Sequence, residues 1–254
     1  MKNAASWTPS KFVMLGDVLR ANLDANYVAT SSRLNADLLA AALQTVLTRF
    51  AHGSLLDLGC GSVPLYGFYQ ALAERVTCVD WDNSTHNLRH VDLTADLNLP
   101  LALPSASFDT VVLTDVLEHI AAPHVLLAEI RRVLRTDGML LGTVPFMYKL
   151  HEEPHDYHRY TRHSLIAMAR DSGLSVEFLE PYGQGTDVLF DVLAKILVNA
   201  HWRWGETWAS WAHKLGFCMR TSKLGRHLNR NQLALPLGYV FALRATQLPF
   251  PKEV

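Results

Sequence analysis

Three aspartates and two glycines stand where buried runs end: Asp57, Gly59 and Gly61 in LLDLGCG, Asp80 in VTCVDWD, and Asp96 in ADLNLPL. A glycine pair between a strand and a helix lets backbone N–H groups come close to a ligand. Asp57 would repel a pyrophosphate and suits a cationic or amine-bearing group instead. Asp80 can accept two ribose hydroxyls, and Asp96 can receive an adenine amino group. Together they describe a nucleoside with a positively charged tail. A dinucleotide fingerprint needs a third glycine where this chain has Pro64. That departure counts against a nicotinamide-dependent oxidoreductase, the alternative that shares the glycines and Asp80.

The most chemically loaded stretch is HEEPHDYHRYT, residues 151–161. Histidine titrates near neutral pH, so His155 and His158 are candidate general bases, with Asp156 orienting an imidazole. Arg159 can hold an anionic acceptor through its planar fork, or it and Tyr160 can simply pin the loop. His151 is grouped with Arg159 and Tyr160 as acceptor-binding. A divalent ion held by His151, Glu152, His155 and Asp156 is the lesser reading, and no metal site is assigned. Glu118 and His119 in LTDVLEHI are read as fixing a loop rather than as catalytic.

These residues need a frame. The segment 34–50 has leucines and alanines at helical spacing and precedes a strand at 54–59. A helix over 65–75, a strand at 76–81 and a strand at 108–116 follow. A helix over 122–138 has Pro123 near its start and Gly138 past its end. A strand at 139–146 and a helix at 163–173 continue the alternation, and after SVEFLEPYG, residues 175–183, the pattern changes. Nearly unbroken apolar strands between helices predict an α/β, Rossmann-like, doubly wound and mostly parallel sheet. Ligands of such sheets sit beyond the carboxyl ends of the strands, here after Leu58, Val79, Leu113 and Val144. We expect one domain over 1–254: an N-terminal helical cap (1–50), a cofactor-binding core (54–182), a helical insertion (186–232) and a closing, antiparallel strand (233–246).

LLDLGCG, VTCVDWD, ADLNLPL, SASFDTVVLTDVLEHI and EIRRVLRTDGMLLGTVPF, in this order and spacing, resemble the class I S-adenosylmethionine-dependent methyltransferases. The resemblance covers residues 34–182 and the last strand. It implies that Asp57, Gly59, Cys60 and Gly61 border the methionine and ribose end of S-adenosylmethionine. It further implies that Asp80 with Trp81 holds the ribose, Asp96 and Leu97 contact adenine, and Thr114 lies near the methionine portion. The H-x-x-P-x-D-Y-x-R-Y-T pattern is similar to a bacterial subgroup associated with surface polysaccharides. That implies a small-molecule or glycan acceptor, with a hydroxyl oxygen as the methylated atom. A methyltransferase-like protein that binds without turnover is the non-enzymatic alternative.

In TDVLFDVLAKILVNA, Asp187, Asp191, Lys195 and Asn199 recur every fourth residue, a thin polar stripe on an apolar helix. Such a helix needs cover from protein, a partner subunit or lipid. Trp204, Trp208, Trp211 and Leu215 follow at helical spacing, then Lys214, Arg220, Lys223, Arg226 and Arg230. The tryptophans are expected to pack inward, as an acceptor-site lid or a homodimer seam. The other reading is contact with an anionic membrane face or a lipid-linked acceptor. A formal net charge of -1 excludes bulk attraction to nucleic acid. The three scattered cysteines imply a reducing compartment, and MKNAASWTPSKFVML has no export pattern, so a cytoplasmic location is expected.

Overall fold

The computed structural model describes residues 1–83, 86–200, 203–230 and 235–246. The chain opens with an antiparallel hairpin, β1 (Phe12–Leu15) and β2 (Val18–Ala21), then α1 (Arg33–Phe50). Next come β3 (Ser54–Leu58), α2 (Tyr66–Tyr69), β4 (Arg75–Asp80), β5 (Leu93–Thr94) and β6 (Phe108–Thr114). They are followed by α3 (Pro123–Val133), β7 (Leu134–Pro145), α4 (Arg162–Asp171) and β8 (Leu174–Gln184). Three helices, α5 (Thr186–Asn199), α6 (Gly205–Thr221) and α7 (Lys223–Arg230), precede the last strand, β9 (Pro236–Ala245).

Seven strands form one sheet in the order β5-β4-β3-β6-β7-β9-β8, parallel except at β9, which runs antiparallel to both neighbours. This is the expected Rossmann-like architecture. Side chains alternate across the sheet, because successive strand residues point to opposite faces. Leu55, Cys78, Val112, Leu141 and Val240 belong to one core with α1, α5 and α6. Leu56, Val79, Val111, Leu140 and Phe241 belong to the other, with α3 and α4. Thr161 caps α4 by accepting from Ser164 N at 3.2 Å, and Gly173, at φ 72°, stops it.

Three elements differ from expectation. Apart from a 3-10 turn at Ala4–Ser6, the cap over residues 1–50 is helical only from Thr30, since a β-hairpin occupies 12–21. Asp37 on α1 holds that hairpin by accepting from Ala21 N and Arg20 Nη1. The helix expected over 65–75 is one turn, α2: its Tyr-Gly-Phe-Tyr sequence has weak helix propensity, and Glu74 N already bonds Gly53 O beside the sheet. The helix expected over 122–138 ends at Val133, because buried Leu134 pairs with Phe108. Gly138 therefore lies in a bulged stretch of β7, where a Cβ would sit 3.0 Å from Arg135 O and 3.2 Å from Asp109 O.

Because β8 pairs antiparallel to β9, its carboxyl end at Gln184 lies on the same sheet edge as the carboxyl ends of β3, β4, β6 and β7. The helices α5 to α7 thus start from the edge where ligands bind. Residues 231–234, where the insertion was expected to end and the closing strand to begin, lie outside the described residues, as does the Arg230 side chain.

Candidate active site

The turn after β3 carries the bare backbone expected of it. Gly59 and Gly61 adopt φ of 68° and 54°, conformations that L side chains rarely take. A Cβ on Gly59 would also stand 2.5 Å from Val116 Cγ2, so this turn is pressed against the chain leaving β6. Cys60 between them is buried.

Asp80 is buried at the end of β4, with Oδ1 accepting from Trp81 N at 2.7 Å and Oδ2 without a protein partner. Burial raises its pKa against the opposing pull of the Trp81 and Gly61 backbone N–H groups. An orphaned acceptor beside a glycine turn fits a ribose diol, whose two O–H donors would satisfy it. Half-buried Asp96 folds its Oδ1 onto Asn98, accepting from N at 2.9 Å and Nδ2 at 3.0 Å; Leu97 beside it is buried. Thr114 is half-buried at the end of β6.

Asp57, at the end of β3, is engaged through one carboxylate oxygen, Oδ2. Its carboxylate is buried and accepts a 2.6 Å hydrogen bond from Tyr69 Oη on α2. Burial pushes its pKa up to about 7.

The loop after β7 is fastened to the turn after β6. Tyr157 N and His158 N donate to Glu118 O at 2.9 and 3.2 Å, and Tyr160 Oη donates to Leu117 O at 2.9 Å. His119 Nδ1 lies 2.8 Å from His155 O. The same loop reaches the cofactor side: the His155 ring stands edge-on to Trp81 at 5.4 Å, and Glu152 Oε1 lies 3.8 Å from His86 Nε2, whose ring flanks Gly61.

Within the loop, Asp156 does not face His155 or His158. Its Oδ2 lies 3.2 Å from His151 Nδ1 and accepts from His151 N at 3.0 Å. Arg159 grips Asp156 with both guanidinium N–H groups, at 2.5 and 2.7 Å, and holds that carboxyl well below the usual range. The Arg159 fork is therefore engaged in pinning the loop rather than presented to an anionic acceptor. His155 Nδ1 pairs with Tyr157 Oη at 3.0 Å.

Glu118 and His119, read from the sequence as loop residues, stand at the centre of this arrangement. Glu118 is 0% exposed, and its Oε1 is 3.7 Å from both His119 Nε2 and His151 Nε2. Burial raises the Glu118 pKa; at His151 burial opposes the charged imidazole, but the Glu118 and Asp156 carboxylates outweigh it and raise the pKa. The metal set weighed from the sequence is not gathered: among the described residues the His/acid cluster of ligand geometry is Glu118, His119 and His151. Separation by more than thirty residues hid this grouping, and only the paired turns reveal it.

Beside His151, whose ring is 5.3 Å from that of Tyr148, opens a mostly apolar cavity of about 590 Å³ between the post-β7 chain and α5. Its lining includes Met147, Tyr148, Asp191, Lys195 and Ile196. The polar stripe of α5 faces inward: Asp191 and Lys195 pair, Lys195 Nζ sits 4.5 Å over the Tyr148 ring, and Asp187 accepts from Arg220 at 2.8 Å. Asn199, the last residue of the stripe, is exposed; of the apolar residues, Val188, Phe190 and Ala194 are buried, and others face outward, with Leu189 61% and Ile196 59% exposed. Contrary to the inward packing expected, Trp204, Trp208 and Trp211 are also exposed, at 58, 53 and 61%, while Ala209, Ala212 and Gly216 fill the inner face of α6.

Residues 56–142 match the family described as "Methyltransferase domain". The structure resembles an S-adenosylmethionine-dependent methyltransferase from Mesorhizobium loti, with 16% identity, a TM-score of 0.53, and 83% of this chain and 99% of that one covered. It also resembles the [4+2]-cyclase SpnF, with 20% identity, a TM-score of 0.52, and 84% and 82% covered. At these identities the likeness is one of fold. No curated protein sequence matches the chain. The family match spans the glycine turn and the strands that flank it, within a sheet of class I order. Residues 56–142 thus match a methyltransferase domain, and the sheet that holds them has the fold of the class I S-adenosylmethionine-dependent methyltransferases. Members of that family take S-adenosylmethionine as cofactor, which favours it over the nicotinamide reading.

Proposed function

We propose that the chain methylates a hydroxyl oxygen of a small-molecule or glycan acceptor. The observation that carries this is the histidine-rich loop 151–160, clamped to the turn after β6 and reaching the cofactor side through Trp81 and His86, with His151 edge-on at 5.3 Å to Tyr148, which lines the cavity under α5. When bound, S-adenosylmethionine supplies an electrophilic methyl carbon on a sulfonium sulfur that leaves as a neutral thioether. Asp80 and the Gly59–Gly61 turn hold its ribose end, with Trp81 beside them; Asp96 and Leu97 border its adenine, and Thr114 its methionine portion.

The protein's own work is alignment, dryness and proton removal. Tyr160 and Arg159 fix the loop, so that the acceptor oxygen meets the methyl carbon in line. His155 takes the acceptor's proton at Nε2 while Nδ1 is held by Tyr157. His158, whose Nε2 is buried without a partner, is the second base candidate, and Asp156 acts through His151 as a positioning residue. The pattern H-x-x-P-x-D-Y-x-R-Y-T supports a glycan-type acceptor, since it is shared with polysaccharide-associated methyltransferases.

The outward apolar face of α5 and α6 favours a second element, an acceptor carried at an anionic membrane surface. Val192 and Ile196 line the cavity and also belong to that exposed face. Arg203 and Lys214 lie over Trp204 and Trp211, the pairing of cations with interfacial indoles that anionic lipid favours. Among the described residues no helix is long and apolar enough to cross a membrane, so contact would be peripheral.

The test is incubation with radiolabelled methyl donor and separate sugar, lipid-linked sugar, quinone and small-amine acceptors. Label that survives on a sugar or lipid-linked sugar as an ether supports the reading. Label confined to amines, or none in any class, overturns it.

A further inference from the structure

We propose that Glu118, His119 and His151 form a binding site for one divalent transition-metal ion, zinc or a near relative, at the acceptor side of the cofactor crevice. Their ligand atoms all lie within 4.8 Å of one another, and Glu118 Oε1 is 3.7 Å from each histidine Nε2. Ligands about 2.1 Å from a tetrahedral ion stand roughly 3.4 Å apart, so each Glu118–histidine pair needs to close by a few tenths of an ångström and the widest pair by no more than about 1.4 Å.

Two independent features aim these side chains at an ion. Glu118 is fully buried, and neither carboxylate oxygen has a hydrogen-bond partner. A buried, unsatisfied carboxylate costs several kcal/mol, a penalty a cation removes. The far nitrogen of His119 is meanwhile engaged from outside, Nδ1 lying 2.8 Å from His155 O, and the Asp156 carboxylate stands behind His151, its Oδ2 3.2 Å from Nδ1 without a formed hydrogen bond. Outer oxygens of this kind orient imidazoles in metal sites and leave Nε2 for the ion.

Two histidines and one carboxylate suit zinc, manganese or ferrous iron better than magnesium or calcium, which prefer oxygen alone. Three protein ligands also leave a position open. Glu152 Oε2, 3.9 Å from His119 Nε2, stands at its exposed rim. An acceptor hydroxyl taken at that position would be held and acidified by the ion, so that its proton leaves more readily. This use of the ion rests on the methyl-transfer reading above; binding of the ion does not.

Metal content after dialysis against zinc, followed by competitive titration with a chromophoric chelator, tests the site. We expect one equivalent per chain. Glu118→Gln and His151→Ala should each weaken binding at least tenfold, and the pair His119→Ala/His151→Ala should abolish it, while His155→Ala retains it. Circular dichroism establishes that each variant is folded. Should the double variant not fold, the shift in melting temperature decides: zinc should raise that of the native protein and leave that of Glu118→Gln unchanged. Substoichiometric zinc in the native protein, or full retention in Glu118→Gln and His151→Ala, overturns the site. Calorimetry with S-adenosylhomocysteine on the same samples keeps the two readings apart. Cofactor binding without metal sinks only the site, and metal without cofactor sinks only its proposed use.

Discussion

Tyr69 donates a 2.6 Å hydrogen bond to Asp57, and both side chains are buried between β3 and the short helix α2. The carboxyl therefore titrates near neutrality, at about 7 in the folded chain against 3.8 for the free side chain, chiefly through desolvation. A raised carboxyl pKa means the folded state holds the proton more tightly. Its contribution is complete below pH 3.8 and is lost as pH rises through 7, by on the order of 4 kcal/mol. Asp57→Asn should remove this fall, so that its stability rises with pH between 4 and 8 relative to the parent, read by urea denaturation at several pH values. Parallel profiles for the two proteins would exclude this account.

His213 produces the opposite slope. Buried on the inner face of α6 with both ring nitrogens unpartnered, it has a pKa depressed from 6.5 to about 4 by burial, then by Lys195 and Arg33. Its contribution is complete above pH 6.5 and is lost as pH falls toward 4, by on the order of 3 kcal/mol. His213→Leu should therefore remove acid sensitivity. Because the Asp57 and His213 windows overlap, each single variant should expose the slope of the other. A His213→Leu protein as acid-labile as the parent would count against the assignment.

The two glycines of the cofactor turn should separate stability from binding. Gly59→Ala meets both a positive φ and Val116 at 2.5 Å, and should cost about 2–4 kcal/mol of stability. Gly61→Ala also takes a positive φ but meets no side chain closer than the His86 ring at 3.3 Å, so it should cost less stability while still weakening S-adenosylhomocysteine binding. Denaturation and calorimetry on both variants decide it; equal stability losses would contradict the packing argument.

Asp80 and His155 should divide affinity from turnover. Losing an acceptor of charge-assisted hydrogen bonds typically costs about 1.5–3 kcal/mol, so Asp80→Ala should weaken cofactor binding roughly 10- to 100-fold. His155→Ala should leave that affinity nearly intact and lower turnover by about a hundredfold or more. Equal cofactor losses in the two variants would dissolve the distinction.

The exposed tryptophans give a surface prediction. Flotation with phosphatidylglycerol vesicles should recover the protein, phosphatidylcholine vesicles should not, and salt should reduce recovery. Replacing Trp204, Trp208 and Trp211 together by serine should abolish flotation and leave the melting temperature little changed. A chain that ignores both vesicles and sediments as a dimer would assign this face to a second copy.

Much of this molecule is written locally. Nearly continuous apolar runs at 54–58, 75–80, 108–114 and 139–145 cannot be solvated, so they declare a sheet buried on both faces. The glycine pair at 59 and 61 and the acid closing β4 are legible for the same reason: backbone freedom and strand ends are properties of neighbouring residues. Element ends were less legible. Nothing local announces that Leu134 will pair with Phe108, so the periodicity of α3 ran past its true end.

What the sequence determined by itself was the sheet, the cofactor edge and the richness of the loop after β7. Tertiary structure alone decided which histidine meets which acid. His151 reaches Glu118 because two turns from parallel strands are stapled by main-chain hydrogen bonds, a contact that no spacing encodes. It alone also decided the facing of α5, whose polar stripe turns inward because Asp191 and Lys195 find each other and Tyr148 beside the cavity. A helical pattern gives the angle between two kinds of side chain, and only the neighbours it packs against determine which kind meets water.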